Sequence, residues 1–257
     1  MKTEEENMLY IKKYSGFIIS IVIGLLLYEE ANYAYTYRTA TAYSDHMIYR
    51  LILSMGSGSS GWNGILFPIL AALPMGISYV REYRSGYLKL RLQKMSRKRY
   101  VAVTLIQNAI LGGLGLLIPY AVYCLHLYFE YGTKAYLNIK EGETVIMFYP
   151  KLAASNTIAY VCLLGAFVLL AGVTFATFAI GISAWIKNTF LTLILPFVLC
   201  IAMAILMPDN RFDLLLIFAP NGYAWASVPI ILIMSGILIL TGIILFAVGV
   251  KNGYVNL

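Results

Sequence analysis

The chain has 257 residues, of which 60% are hydrophobic and only 12% charged, with a mean hydropathy of +0.77. Soluble domains carry about 25% charged residues, so half the expected polar surface is missing and a water-facing globule of this size is excluded. The formal charge is +7, from 19 Lys and Arg against 12 Asp and Glu.

In chain order, the first candidate element is a short interfacial helix through Met8, Leu9 and Ile11, which Thr3-x-x-Glu6 would open as a capping box. An apolar run then begins at Tyr14 and reaches Glu29-Glu30, with uncharged residues beyond, so one span is expected over 14–36. A cleaved signal peptide fits poorly, because Glu4-Glu5-Glu6 spoils a positive start and the first A-x-A, Ala40-Thr41-Ala42, lies too far on. A bilayer core of about 30 Å requires about 20 apolar residues of helix. Further stretches of that kind are free of Asp, Glu, Lys and Arg, and they predict spans over 62–80, 101–128, 157–185, 189–207 and 228–250. Continuous rather than alternating apolarity selects helices over barrel strands. The expectation is therefore an all-α polytopic membrane protein, one domain over 1–257 with six spans. Pro74, Pro119 and Pro196 fall inside spans, where a kink is tolerable. The run from Leu152 is too long for one span, so its first residues are expected outside the bilayer or at its boundary.

Charge is concentrated in one place. Arg81 to Arg99 holds eight Lys/Arg and one Glu, a net +7, and the other 238 residues carry 11 basic and 11 acidic groups. The positive-inside rule puts this loop, between spans two and three, in the cytoplasm. With six spans both termini are then cytoplasmic, in a multi-pass protein of the cell membrane. Thirteen basic residues fall inside and six outside, whereas eight of the twelve acidic residues fall outside. Within the loop, Leu88, Leu92 and Met95 recur at i, i+4, i+7 among Lys89, Arg91 and Lys94, the pattern of a short amphipathic helix. Such a helix suits a docked protein and anionic lipid headgroups alike. A nucleic-acid role is poorly supported, since no folded domain presents the loop.

These residues resemble the region after the second span of type-2 ABC exporter permeases (the ABC-2 family). The shared pattern is Glu82, Gly86 four residues on, an apolar-basic helix, then Ser96-Arg97 and Tyr100 leading into span three; Met95 stands where the family often has Pro. The resemblance implies a permease subunit without its own ATPase site, working as a dimer or with a related subunit. Two cytoplasmic ABC ATPase subunits would bind ATP and Mg. It implies that the segment carrying Glu82, Gly86, Leu88, Leu92, Met95 and Arg97 is the coupling helix, seated in a cleft of that ATPase. The exported cargo of such a permease would be a peptide or other amphipathic molecule. The resemblance further implies short re-entrant helices between spans five and six, for which residues 209–227 have the composition; an ordinary interfacial loop carrying Phe218, Tyr223 and Trp225 fits them equally.

Other chemistry finds less support. There is no G-x-x-x-x-G-K-[ST] phosphate loop, so pumping would need an external motor. Gly58-Ser59-Ser60-Gly61 matches a rhomboid-like G-x-S-G, but His46 and His126 are the only candidate bases and nothing in the sequence places either beside the serine. Glu29-Glu30 lacks the basic residue of an E-E-x-x-x-R protease motif, since Ala34 occupies that position. The two acids suit either the outer boundary or a cavity that attracts a cationic substrate. Cys124, Cys162 and Cys200 each lie in a span and read as small apolar residues. No catalytic, metal or cofactor site is expected in this chain. Gly112, Gly113 and Gly115, Gly172-x-x-x-Ala176 and Ala179-x-x-x-Ser183 allow close helix packing, within one subunit by default or between subunits. Tyr28, Tyr33, Tyr35, Tyr37, Tyr43 and Tyr49 are expected as an interfacial belt. The competing functional class is a non-transport membrane assembly or signalling subunit.

Overall fold

The structure, a computed structural model, describes residues 2–38, 46–56, 62–133, 148–206, 213–223 and 225–255. Among them every regular element is helical: α1 (Lys2–Arg38), α2 (Met47–Ser54), α3 (Trp62–Ala72), α4 (Ser78–Arg84), α5 (Tyr87–Lys94), α6 (Arg97–Tyr131), α7 (Pro150–Ser155), α8 (Thr157–Ser183), α9 (Thr189–Leu206) and α10 (Val228–Val255). Two 3-10 turns, Leu214–Ile217 and Pro220–Gly222, lie between α9 and α10. Five helices are long and apolar enough to cross a bilayer: α1 over Tyr14–Tyr33, then α6, α8, α9 and α10. This is the architecture of a helical multi-pass membrane protein.

Several boundaries differ from expectation for local reasons. The chain is continuously helical from Lys2, so no separate interfacial helix precedes the first span, and Thr3 lies inside the helix rather than before it. The expected second span is not one helix. α3 has 11 residues, about 16 Å at 1.5 Å per residue, and turns over 73–77 separate it from α4. Pro74 is the cause: it has no N–H to give the Leu70 carbonyl four residues back. The buried Ser20 hydroxyl of α1 donates to that carbonyl instead, at 2.9 Å. The surplus at the start of the fourth apolar run becomes α7, and Asn156 ends it by capping α8, its side chain accepting from the Ala159 N–H at 3.0 Å.

α8 is the hub, packing on α3, α4, α6, α7, α9 and α10. In lipid, burying apolar side chains gives little drive for helices to associate, so close backbone approach matters more. Two glycine pairs provide it. A methyl group on Gly172 of α8 would fall 2.5 Å from the Gly112 carbonyl oxygen of α6. One on Gly181 would fall 2.5 Å from the Gly242 carbonyl oxygen of α10. Gly112 of α6 thus meets the Gly172-x-x-x-Ala176 stripe within one chain, and the Gly181/Gly242 pair lies outside the expected stripes.

α6 starts at the basic loop and defines two ends of the bundle. At the basic end, Tyr79, Leu88, Tyr100, Ile180, Ala184, Phe246 and Val250 form a compact cluster. Toward the far end lies a larger core in which Phe67 meets Phe175 edge-on and stacks on Phe218 at 4.6 Å. Gly172→Leu is expected to destabilise the fold by about 1–3 kcal/mol or more through overpacking. Gly236→Leu should be neutral, since nothing lies within 4 Å of a Cβ there. Thermal unfolding in detergent reads both, and equal midpoints for the two variants would contradict the packing account.

Candidate functional site

The basic loop folds into α4, a turn at Gly86, α5, and the first turn of α6. Gly86 adopts φ +72°, where an L side chain is strained, and so ends α4 and redirects the chain into α5. Its N–H donates to the Tyr83 carbonyl at 3.2 Å and its carbonyl accepts from the Lys89 N–H at 3.2 Å. Ser96 caps α6, its hydroxyl accepting from the Arg99 N–H at 3.4 Å. An eight-residue helix is not stable alone in water, so α5 depends on what it touches.

Glu82 supplies the central contact. Its Oε1 pairs with Arg91 Nη1 at 2.5 Å, and its Oε2 accepts from the Tyr100 hydroxyl at 2.9 Å. The Arg91 guanidinium also lies over the Tyr100 ring, 5.2 Å from its centroid. One carboxylate therefore ties α4, α5 and α6 together. Nearby, Arg84 Nη2 donates to the Lys187 carbonyl at 2.7 Å, and the Lys187 ammonium sits 3.7 Å above the Tyr83 ring. Trp185 Nε1 donates to the Leu245 carbonyl of α10 at 2.9 Å.

The apolar stripe of α5 faces inward. Leu88 is 1% exposed within the basic-end cluster, and Leu92 and Met95 are half-buried against it. The side of α5 turned outward carries Tyr87 and Leu90, 53% and 54% exposed, with Lys89, Gln93 and Lys94 also exposed around them. Arg97 is half-buried at the start of α6. The i, i+4, i+7 spacing thus marks the face that holds the helix to its own spans, and the surface open to a partner is the other one.

Glu29 and Glu30 are exposed on α1, between buried Tyr28 and Ala31, and line neither of the two cavities described for this chain. Tyr28 is not in an interfacial belt; it is buried and stacks on Tyr123 at 4.9 Å. Tyr33 is exposed and Tyr49 half-buried, and the side chains of Tyr35, Tyr37 and Tyr43 lie outside the described residues. So does the Gly58-Ser59-Ser60-Gly61 sequence. His126 pairs with Glu130 at 3.4 Å, one turn on along α6. Among the described residues no three His, Cys, Asp or Glu cluster as metal ligands, and all three cysteines are free thiols.

The far end holds what sequence reasoning missed. α2, expected as part of an outer loop, is buried over seven of its eight residues, Arg50 included. Arg50 Nη1 donates to Asn32 Oδ1 of α1 at 2.7 Å, and its guanidinium covers the Tyr131 ring at 4.5 Å. A lone Arg in the apolar run of 47–54 was the available signal. Residues 213–223 also turn into the bundle: Leu216, Ile217 and Phe218 are buried. Asn221 Oδ1 accepts from the Phe148 N–H at 3.2 Å and from the Tyr160 hydroxyl at 3.3 Å. The Tyr223 hydroxyl donates to Asp213 Oδ2; burial first, then Asp213, pushes that phenol well above its usual range, so it stays a donor. The segment runs between α9 and α10. It is a buried insertion built on two 3-10 turns, although 209–212 and Ala224 lie outside the described residues.

No protein-family model, curated protein or solved structure matches this chain. The Glu82 contact is testable on its own. Glu82→Gln and Arg91→Gln should each cost about 1–3 kcal/mol, as partly buried charges losing their partners. The double variant should cost clearly less than the sum, because the two residues share one interaction. Additive losses in thermal unfolding would contradict the pairing.

Proposed function

We propose that this chain is the permease subunit of an ATP-driven ABC exporter of the ABC-2 type, and that α5 is the helix through which a cytoplasmic ATPase moves it. The observation that carries this reading is α5 itself, a short helix fastened to the membrane bundle on one side while presenting Tyr87 and Leu90, ringed by basic residues, on the other. Exposed apolar side chains in the most basic segment of the chain suit a protein cleft better than water. Fastening through Glu82, Arg91 and Tyr100 lets a push on α5 reach α4 and α6 directly, and the basic-end cluster carries it to α8 and α10.

In this reading α3 and α4 together form the sixth crossing, and the basic end with both termini faces the cytoplasm. ATP and Mg bind to the partner ATPase. Two copies of the chain, or this chain and a related permease, enclose the pathway in the cell membrane, and the cargo is a peptide or other amphipathic molecule.

The positions of Leu88 and Tyr87 separate docking from folding. Tyr87→Asp with Leu90→Asp should abolish co-purification of a stoichiometric cytoplasmic ATPase while leaving the chain monodisperse and its unfolding midpoint unchanged. Leu88→Asp should instead lower the midpoint, because a charge enters the buried cluster. Full ATPase binding and full stimulation of hydrolysis in the Tyr87/Leu90 variant would overturn the coupling role. A partner that is not an ATPase would favour an assembly or signalling subunit.

A further inference from the structure

Among the described residues a cavity of about 700 Å³ lies at the far end, between α6 and α8. It follows from how the two helices cross. They touch at Gly112 and Gly172, and a methyl group on Gly113 would meet the Leu169 side chain at 2.8 Å, so the contact is closed at that level. Beyond it, toward the far end, the helices part and leave a slot. Tyr120 bridges the slot, donating to the Val161 carbonyl at 2.6 Å. Gly165 keeps the slot open, since a Cβ there would press on the Tyr120 ring at 3.0 Å.

The lining runs from Leu117 to Tyr128 on α6 and from Leu169 back to Thr157 on α8. At 1.5 Å per residue these are lengths of about 16 Å and about 18 Å, close to one leaflet of a hydrocarbon core about 30 Å thick. The walls are mostly apolar along this course. Thr133, Thr157 and Tyr128 are the lining residues at the far end. Lys151, exposed on the short helix leading into Thr157, is in no ion pair among the described residues and complements a phosphate.

We propose that this slot is a binding site for one acyl chain of a phospholipid in the leaflet opposite the basic loop, with the phosphate held at the level of Thr157 and Lys151. The slot has the length of that chain, its apolar course and its polar end. The proposal rests on the chain spanning a bilayer and is independent of the ABC exporter assignment, so either can fail alone.

The test uses the full chain reconstituted in vesicles of phosphatidylethanolamine and phosphatidylglycerol, then released and weighed by native mass spectrometry. The wild-type chain should retain one phospholipid. Ala121→Trp with Ala166→Trp, both at exposed positions lining the slot, should lose it, whereas Ile237→Trp on the exposed face of α10 should keep it. Lys151→Glu should reduce retention of phosphatidylglycerol more than that of phosphatidylethanolamine. A second readout uses Cys162, the exposed thiol in the slot. In the Cys124→Ala, Cys200→Ala background a bimane on Cys162 should be quenched by lipids brominated along the chain. Four results would overturn the proposal: lipid-free wild type, undiminished retention in the Ala121/Ala166 variant, a non-lipid mass bound in the slot, or a dimer that this variant dissociates.

Discussion

Backbone contact along α8 is the constraint on which the rest of this structure depends. The surrounding bilayer is as apolar as the helices, so side-chain burial alone does not hold them together. The Gly112/Gly172 and Gly181/Gly242 pairs fix α6 and α10 against α8 at two heights. With those three helices set, α1 follows α6 through the Ser20 and Gly24 contacts, and the Pro74 break separates α3 from α4 where Ser20 can satisfy the carbonyl it leaves bare. The far-end slot is the counterpart of the same crossing: helices that touch at one level must part at another.

At the basic end this packing produces a platform. Tyr79, Tyr100, Ile180 and Phe246 come from four different helices, and Leu88 inserts among them. Glu82 then adds a polar tie whose two oxygens reach two further elements. The strongly basic loop is therefore not a tether between spans but part of the folded body. If a motor acts on this chain, it acts on a rigid handle, and the force reaches the spans through packed side chains and one ion pair.

Much of this was legible in the sequence. Continuous apolar runs located α6, α8, α9 and α10 within a few residues and the apolar part of α1, though not its start at Lys2, and the small-residue stripes marked the Gly112/Gly172 contact but not Gly181/Gly242. Spacing also located α5, but it could not say which way the apolar stripe would face. Leu88, Leu92 and Met95 fit a partner cleft as well as they fit the chain's own spans, and only the placement of Tyr100 and Phe246 decides between them. The break at 73–77 was visible as Pro74, yet the hydroxyl that makes it tolerable comes from Ser20, 54 positions away. α2 and residues 213–223 were the least legible. Both are too short to read as spans, and their burial depends on the gaps left by longer helices. Arg50, in particular, is buried where Asn32 and Tyr131 receive it.

The central claim is that α5 belongs to the folded bundle, and amide hydrogen exchange of the full chain in nanodiscs tests it directly. An eight-residue helix free in water exchanges almost as an unfolded peptide. The account predicts that amides over Tyr87–Lys94 are protected to a degree comparable with the first turns of α6, with no partner present. Exchange of this segment at the rate of an unstructured loop would contradict it.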